Sequence, residues 1–143
     1  MAVVGGCLYW LRSLGGHDGL TQAKILVVED EPNIVESLRF ILGQAGFAVD
    51  VSGDGTDALR RMRTGHFDAV VLDIMLPGLN GFEVLRAVRV DPHLSDLPVI
   101  VLTAKGQATD RRSAEEIGAS AFITKPFSNA DVVDQVRRLA VAR

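Results

Sequence analysis

Four apolar runs end in groups able to do chemistry. Ile25-Leu26-Val27-Val28 leads into Glu29-Asp30, and Ala69-Val70-Val71-Leu72 into Asp73. Val99-Ile100-Val101-Leu102 leads into Thr103, and Ala121-Phe122-Ile123-Thr124 into Lys125-Pro126. Short apolar runs of this kind read as buried strands. Parallel strands ending side by side gather three carboxylates, a hydroxyl and an ammonium at one sheet edge. Carboxylates brought together repel, so the set implies protonation or a cation. Oxygen ligands, few of them from protein, suit hydrated Mg2+, whose spare positions accept phosphate oxygens. In this reading Asp30 and Asp73 ligate directly, Glu29 reaches the metal through water, and Asp73 is the nucleophile. Thr103 donates to a phosphoryl oxygen, while Lys125 pairs first with a carboxylate and then with the phosphoryl group. Each residue has a plainer use: Asp30 as a helix cap, Thr103 bonded to local backbone, Lys125 as a solvated surface lysine. Their joint order along the chain favours the stronger reading.

The elements that must position these groups alternate strand and helix, the pattern of a parallel α/β sheet. A strand over 24–29 is followed by Pro32, suited to the first turn of a helix bearing Ile34, Val35, Leu38, Ile41 and Leu42. Gly46 stops that helix. Residues 47–51 alternate in character, as an edge strand does. A second helix is expected over 55–63 with Ala58, Leu59 and Met62 inward. Asn80 caps a third carrying Phe82, Val84, Leu85 and Val88. Gln107–Ile117 suits a fourth, ended by Gly118, and Ser128 caps a last one bearing Val132, Val133, Val136 and Leu139. Runs apolar at every position are covered on both faces and belong inside the sheet. The expected fold is therefore a doubly wound, flavodoxin-like α/β sheet of five parallel strands, order 2-1-3-4-5, with helices on both faces. Ligands of such sheets bind outside the carboxyl ends of the strands, near the switch point between strands 1 and 3. The acids at 29, 30 and 73 fall there.

A chain of 143 residues with 48% hydrophobic and 23% charged residues fits one globular domain. The formal charge of −3 gives no reason to expect a polyanion partner. A single cysteine, Cys7, permits no internal disulfide and favours a reducing compartment. No apolar stretch reaches the ~18 residues of a membrane span. Residues 1–22 hold the only Trp and Tyr, Trp10 and Tyr9, and are broken by Gly5-Gly6 and Arg12. They read as a flexible N-terminal extension ahead of a domain over 23–143. A docking segment through Val3, Val4 and Leu8–Leu11, or a start placed upstream of the true one, is the alternative.

The segments Ile25–Pro32, Val71–Glu83, Leu102–Ala104 and Ile123–Phe127, in this order and spacing over about Lys24 to Ala140, resemble the receiver domain of bacterial two-component response regulators, the CheY-like family. The resemblance implies that Asp73 accepts a phosphoryl group from the phosphohistidine of a histidine kinase or a phosphotransfer protein. It implies Mg2+ held by Glu29, Asp30, Asp73 and the backbone carbonyl of Met75, with Thr103 and Lys125 on the phosphoryl oxygens. Thr103 and Phe122 take the switch positions, and the Lys125-Pro126 bond is cis. Catalysis is limited to self-phosphorylation and autodephosphorylation, in the cytoplasm. In-line phosphoryl transfer needs mainly positioning and charge neutralisation, which this set supplies.

Departures from the family pattern sharpen the expectation. Many DNA-binding members carry paired acids where this chain has Gly118-Ala119-Ser120-Ala121, so their charged dimer face is not expected. The sequence stops at Arg143 just after the last helix, and Arg137, Arg138 and Arg143 suit that helix's dipole rather than nucleic acid. A stand-alone receiver docking on a protein target through its fourth helix, fifth strand and fifth helix is expected, without direct nucleic-acid binding. A receiver-shaped module working without phosphorylation is one alternative; the intact set Asp30, Asp73, Thr103 and Lys125 argues against it. A Mg2+-dependent aspartyl-phosphate hydrolase is another, but Met75 stands where such enzymes carry an acid/base Asp. Met75 and Lys105 flank the expected water path to the acyl phosphate.

Overall fold

The computed structural model describes residues 22–104 and 108–140. The expectations for residues 1–21, Lys105, Gln107 and Arg143 lie outside the described residues. The elements are β1 (Lys24–Val28), α1 (Pro32–Gln44), β2 (Ala48–Ser52), α2 (Gly55–Thr64), β3 (Ala69–Asp73), α3 (Gly81–Val90), β4 (Val99–Ala104), α4 (Ala108–Ile117), β5 (Ala121–Lys125) and α5 (Asn129–Ala140). All strand pairs are parallel, in the order β2-β1-β3-β4-β5 expected from the pattern of apolar runs.

Two apolar layers explain why the inner strands are apolar at every position. Leu26, Val28, Val70, Leu72, Val99 and Val101 pack under α2, α3 and α4. The alternate residues Ile25, Val27, Ala69, Val71, Ile100 and Leu102 pack under α1 and α5. Successive strand side chains point to opposite faces, so a strand covered on both sides has no polar positions to spare. At the edge, β2 is half-buried over Ala48–Val51. It begins one residue later than the sequence pattern suggested, with Phe47 buried ahead of it.

The helix ends fit their chemistry. Gly46 and Gly118 adopt φ of 98° and 121° just past α1 and α4, in the left-handed region glycine enters without a Cβ penalty. Asn80 and Glu83 form a reciprocal capping box at the start of α3. At α1, Pro32 opens the helix and the cap is Glu31, whose carboxylate accepts the Asn33 N–H at 2.6 Å. The plainer use of Asp30 as that cap is thereby removed. Beyond the site, Arg89 is half-buried. It donates to the carbonyls of Gly118 (2.8 Å), Leu97 (2.7 Å) and Ser95 (3.2 Å), tying α3 to the approaches of β4 and β5.

Candidate functional site

Register brings the chemistry together. Val28 pairs with Leu72, so Glu29 is level with Asp73, while Asp73 pairs with Leu102 and Ala104 with Lys125. The expected acids therefore meet at the carboxyl edge of β1 and β3, with Thr103 and Lys125 arriving from β4 and β5. One carboxylate oxygen each from Glu29, Asp30 and Asp73 lie within 4.8 Å of one another. Lys125 Nζ stands 3.3 Å from Glu29 Oε1 and 3.3 Å from Asp73 Oδ1. Glu29 is 1%, Asp73 3% and Thr103 5% exposed, whereas Asp30 is open to solvent. The Lys125-Pro126 bond is cis, as the resemblance implied.

Each buried acid has a fixed orientation. Glu29 Oε2 accepts the backbone N–H groups of Asp30 and Glu31, both at 3.1 Å. Asp73 Oδ1 accepts the Met75 N–H at 3.2 Å. Glu29 Oε1 is fully buried and accepts no hydrogen bond among the described residues, with the Lys125 ammonium 3.3 Å away. Burial pushes the Glu29 carboxyl above its usual range; the Asp73 carboxylate adds to this, while the Glu31 N–H and Lys125 oppose it.

Three acids face one ammonium, and two of the three are buried, so the cluster is short of positive charge. An orphaned buried oxygen, an exposed carboxylate and a second buried carboxylate, all within reach of one point, fit a hard divalent cation. Bound there, such an ion supplies charge neutralisation and holds phosphate oxygens in place. Relief of like-charge repulsion makes Asp30→Asn informative. Without metal the variant should melt slightly higher, by about 0.5 kcal/mol or less because Asp30 is exposed. Its Mg2+ affinity, read by titration calorimetry, should fall about tenfold or more.

The raised Glu29 pKa gives a pH dependence of definite sign. The native metal-free state holds this proton more tightly than the unfolded chain, so deprotonation as pH rises through the raised value costs native stability. A cation binds the ionised form and competes with that proton. Mg2+ affinity should therefore weaken as pH falls through that raised value. An affinity flat with pH across that value would contradict the assignment of Glu29.

Three features of the site escaped the sequence pattern. Gly81, directly after the cap Asn80, packs so closely that a Cβ would lie 2.5 Å from Ile74 Cα and 2.6 Å from the Asp73 carbonyl oxygen. Gly55 likewise would meet the Leu79 carbonyl at 2.3 Å. A glycine at the start of a helix, where it gains nothing from propensity, was the available signal. The third is Arg111 of α4, whose guanidinium lies 4.7 Å from the centroid of the half-buried Phe122 ring. Met75 is 73% exposed beside Asp73, and with Asp30, Ile74, Leu76, Pro77, Asn80 and Phe82 it lines a concavity of about 380 Å³ next to the acids.

Comparison with known proteins agrees with this geometry. The family model described as the response regulator receiver domain matches residues 25–137. The transcriptional regulatory protein DltR of Streptococcus agalactiae is 42% identical over 114 residues, 80% of this chain and 50% of its own length. The chain thus spans about half the length of the curated relatives it matches. The signal receiver domain of a signal transduction histidine kinase from Syntrophus aciditrophicus superposes with a TM-score of 0.79 at 32% identity, covering 84% of this chain and 91% of that one. The receiver domain of sensor histidine kinase PA1611 from Pseudomonas aeruginosa PAO1, with a magnesium ion coordinated in its active site cleft, does so at 0.79 and 29%, covering 85% and 99%. Among the described residues, no helix is long and apolar enough to cross a membrane. With its five-stranded order, its acidic triad and its lysine in place, the chain belongs to the response regulator receiver domain family.

Proposed function

We propose that this chain is a phosphoacceptor switch of a two-component phosphorelay, modified on Asp73 by a histidine kinase or a histidine phosphotransfer protein. The observation that carries this is the placement of a 3%-exposed carboxylate between an acidic cation cradle and a lysine 3.3 Å away. An Asp73 oxygen attacks phosphorus in line, the P–N bond to the donor imidazole breaks, and an acyl phosphate forms on Asp73. Glu29, Asp30, Asp73 and the Met75 carbonyl hold Mg2+, which neutralises the phosphoryl oxygens when bound. Lys125 transfers its pairing from the carboxylates to the phosphoryl oxygens, and the Thr103 hydroxyl donates to another. The exposed thioether of Met75 moves no proton, which favours a phosphoacceptor over a metabolic hydrolase.

The receiver unit spans residues 23–143, following an N-terminal extension over 1–22, and works in the cytoplasm. Its output is docking of the α4-β5-α5 face on a protein target. Incubation with acetyl phosphate and Mg2+, followed by intact mass, should show one added phosphoryl group. Chelation of the metal should abolish it. No adduct from acetyl phosphate or from any phosphorylated kinase sinks the proposal.

A further inference from the structure

Among the helices, α4 is the least anchored. Its one fully buried side chain is Ala114, whereas α1, α2, α3 and α5 each bury three or four residues. Its carboxyl end is pinned where Arg89 Nε holds the Gly118 carbonyl at 2.8 Å. Its first turn is held differently, by Arg111 lying over the Phe122 ring at 4.7 Å. Phe122 also packs against the layer that contains Val101 and Ala114. It pairs with Val101, so Thr103 lies two residues farther along the adjoining strand and on the same face.

This places one cation–π contact between the site and the loosest helix. Any pull on Thr103 acts at the end of β4, and α4 begins at Ala108, five positions on. Phe122 stands on the same sheet face as Thr103, one strand over, so a shift of that strand end is felt on the face that carries the ring. Moving the first turn of α4 or turning the Phe122 ring breaks the same contact with Arg111.

We propose that Arg111 is a positioning residue, a clamp that holds α4 on Phe122 in the unmodified chain and opposes the passage of the site to its phosphorylated form. The clamp rests on the reading of Asp73 as phosphoacceptor. Arg111 never touches the reacting atoms; it acts through Phe122 and α4. A cation–π contact at an exposed position is worth a factor of about two to five in such an equilibrium.

The test compares the native chain, Arg111→Ala and Arg111→Lys. Hydrogen exchange of the α4 amides, followed without phosphodonor, should be about twofold to fivefold faster in Arg111→Ala, with global stability lowered by no more than the same factor. Arg111→Lys, which keeps a cation, should fall between. Phosphoryl uptake from acetyl phosphate with Mg2+ should accelerate in Arg111→Ala by a similar factor. Unchanged α4 exchange overturns the clamp. Faster exchange with unchanged uptake overturns its coupling to the site. Absence of any adduct on the native chain overturns instead the reading of Asp73, and the exchange result still judges the contact itself.

Discussion

Asp73→Asn should fold as the native chain does and take up no phosphoryl group. The amide keeps the shape of the carboxylate and an oxygen to accept the Met75 N–H, now at 3.2 Å. It lacks the nucleophilic charge that forms the acyl bond. Removing that charge also relieves Glu29, whose pKa the Asp73 carboxylate helps to raise, and returns it toward the ordinary carboxylate range. Lys125 keeps Glu29 Oε1 at 3.3 Å as its remaining charged partner. Uptake from acetyl phosphate should fall by about a hundredfold or more, consistent with the loss of an activated nucleophile. Intact mass with and without Mg2+ reads it, and far-UV circular dichroism checks the fold. An adduct persisting at native stoichiometry would move the acceptor to another acid of the cluster, with exposed Asp30 the first to examine.

Most of this site was legible because it depends on strand ends, and strand ends are a matter of pattern. A run apolar at every position has both faces covered, which places β1, β3 and β4 inside the sheet on pattern alone. Once those strands are adjacent and parallel, Glu29, Asp30, Asp73 and Thr103 cannot avoid one another. Lys125 follows from β5 lying beside β4.

Other features depend on how close two segments come, which residue types alone do not encode. On residue type alone Asp30 is the expected cap, since Asp is a preferred N-cap and Glu is not. The chain's turn after β1 gives the cap to Glu31 and leaves Asp30 facing the cluster. Arg111 reads as one more exposed helix arginine until β5 brings Phe122 beneath it. Gly55 and Gly81 read as ordinary helix-start glycines until the loop through Ile74 and Leu79 closes over them.

Gly81→Ala is therefore expected to reverse the usual sign of a glycine-to-alanine change in a helix. Alanine normally stabilises a helical position by about 0.5–1 kcal/mol relative to glycine. Gly43 of α1 has nothing within 4 Å of an added Cβ, so Gly43→Ala should show up to that gain. At Gly81 the neighbours are the Ile74 Cα and the Asp73 carbonyl, backbone atoms at 2.5 and 2.6 Å that cannot swing aside as a side-chain tip can. The turn is further tied by the Gly81 N–H donating to the Ile74 carbonyl at 3.0 Å, so α3 and the end of β3 must shift together. Overpacking of this kind costs about 1–3 kcal/mol. Denaturant midpoints of the two variants should move in opposite directions from the native value. The Gly81 variant should also bind Mg2+ more weakly at a temperature where it remains folded, because the displaced backbone carries Asp73. A Gly81→Ala protein as stable as the native one, with unchanged Mg2+ affinity, would mean that the end of β3 yields freely and that this glycine does not set the position of the acceptor.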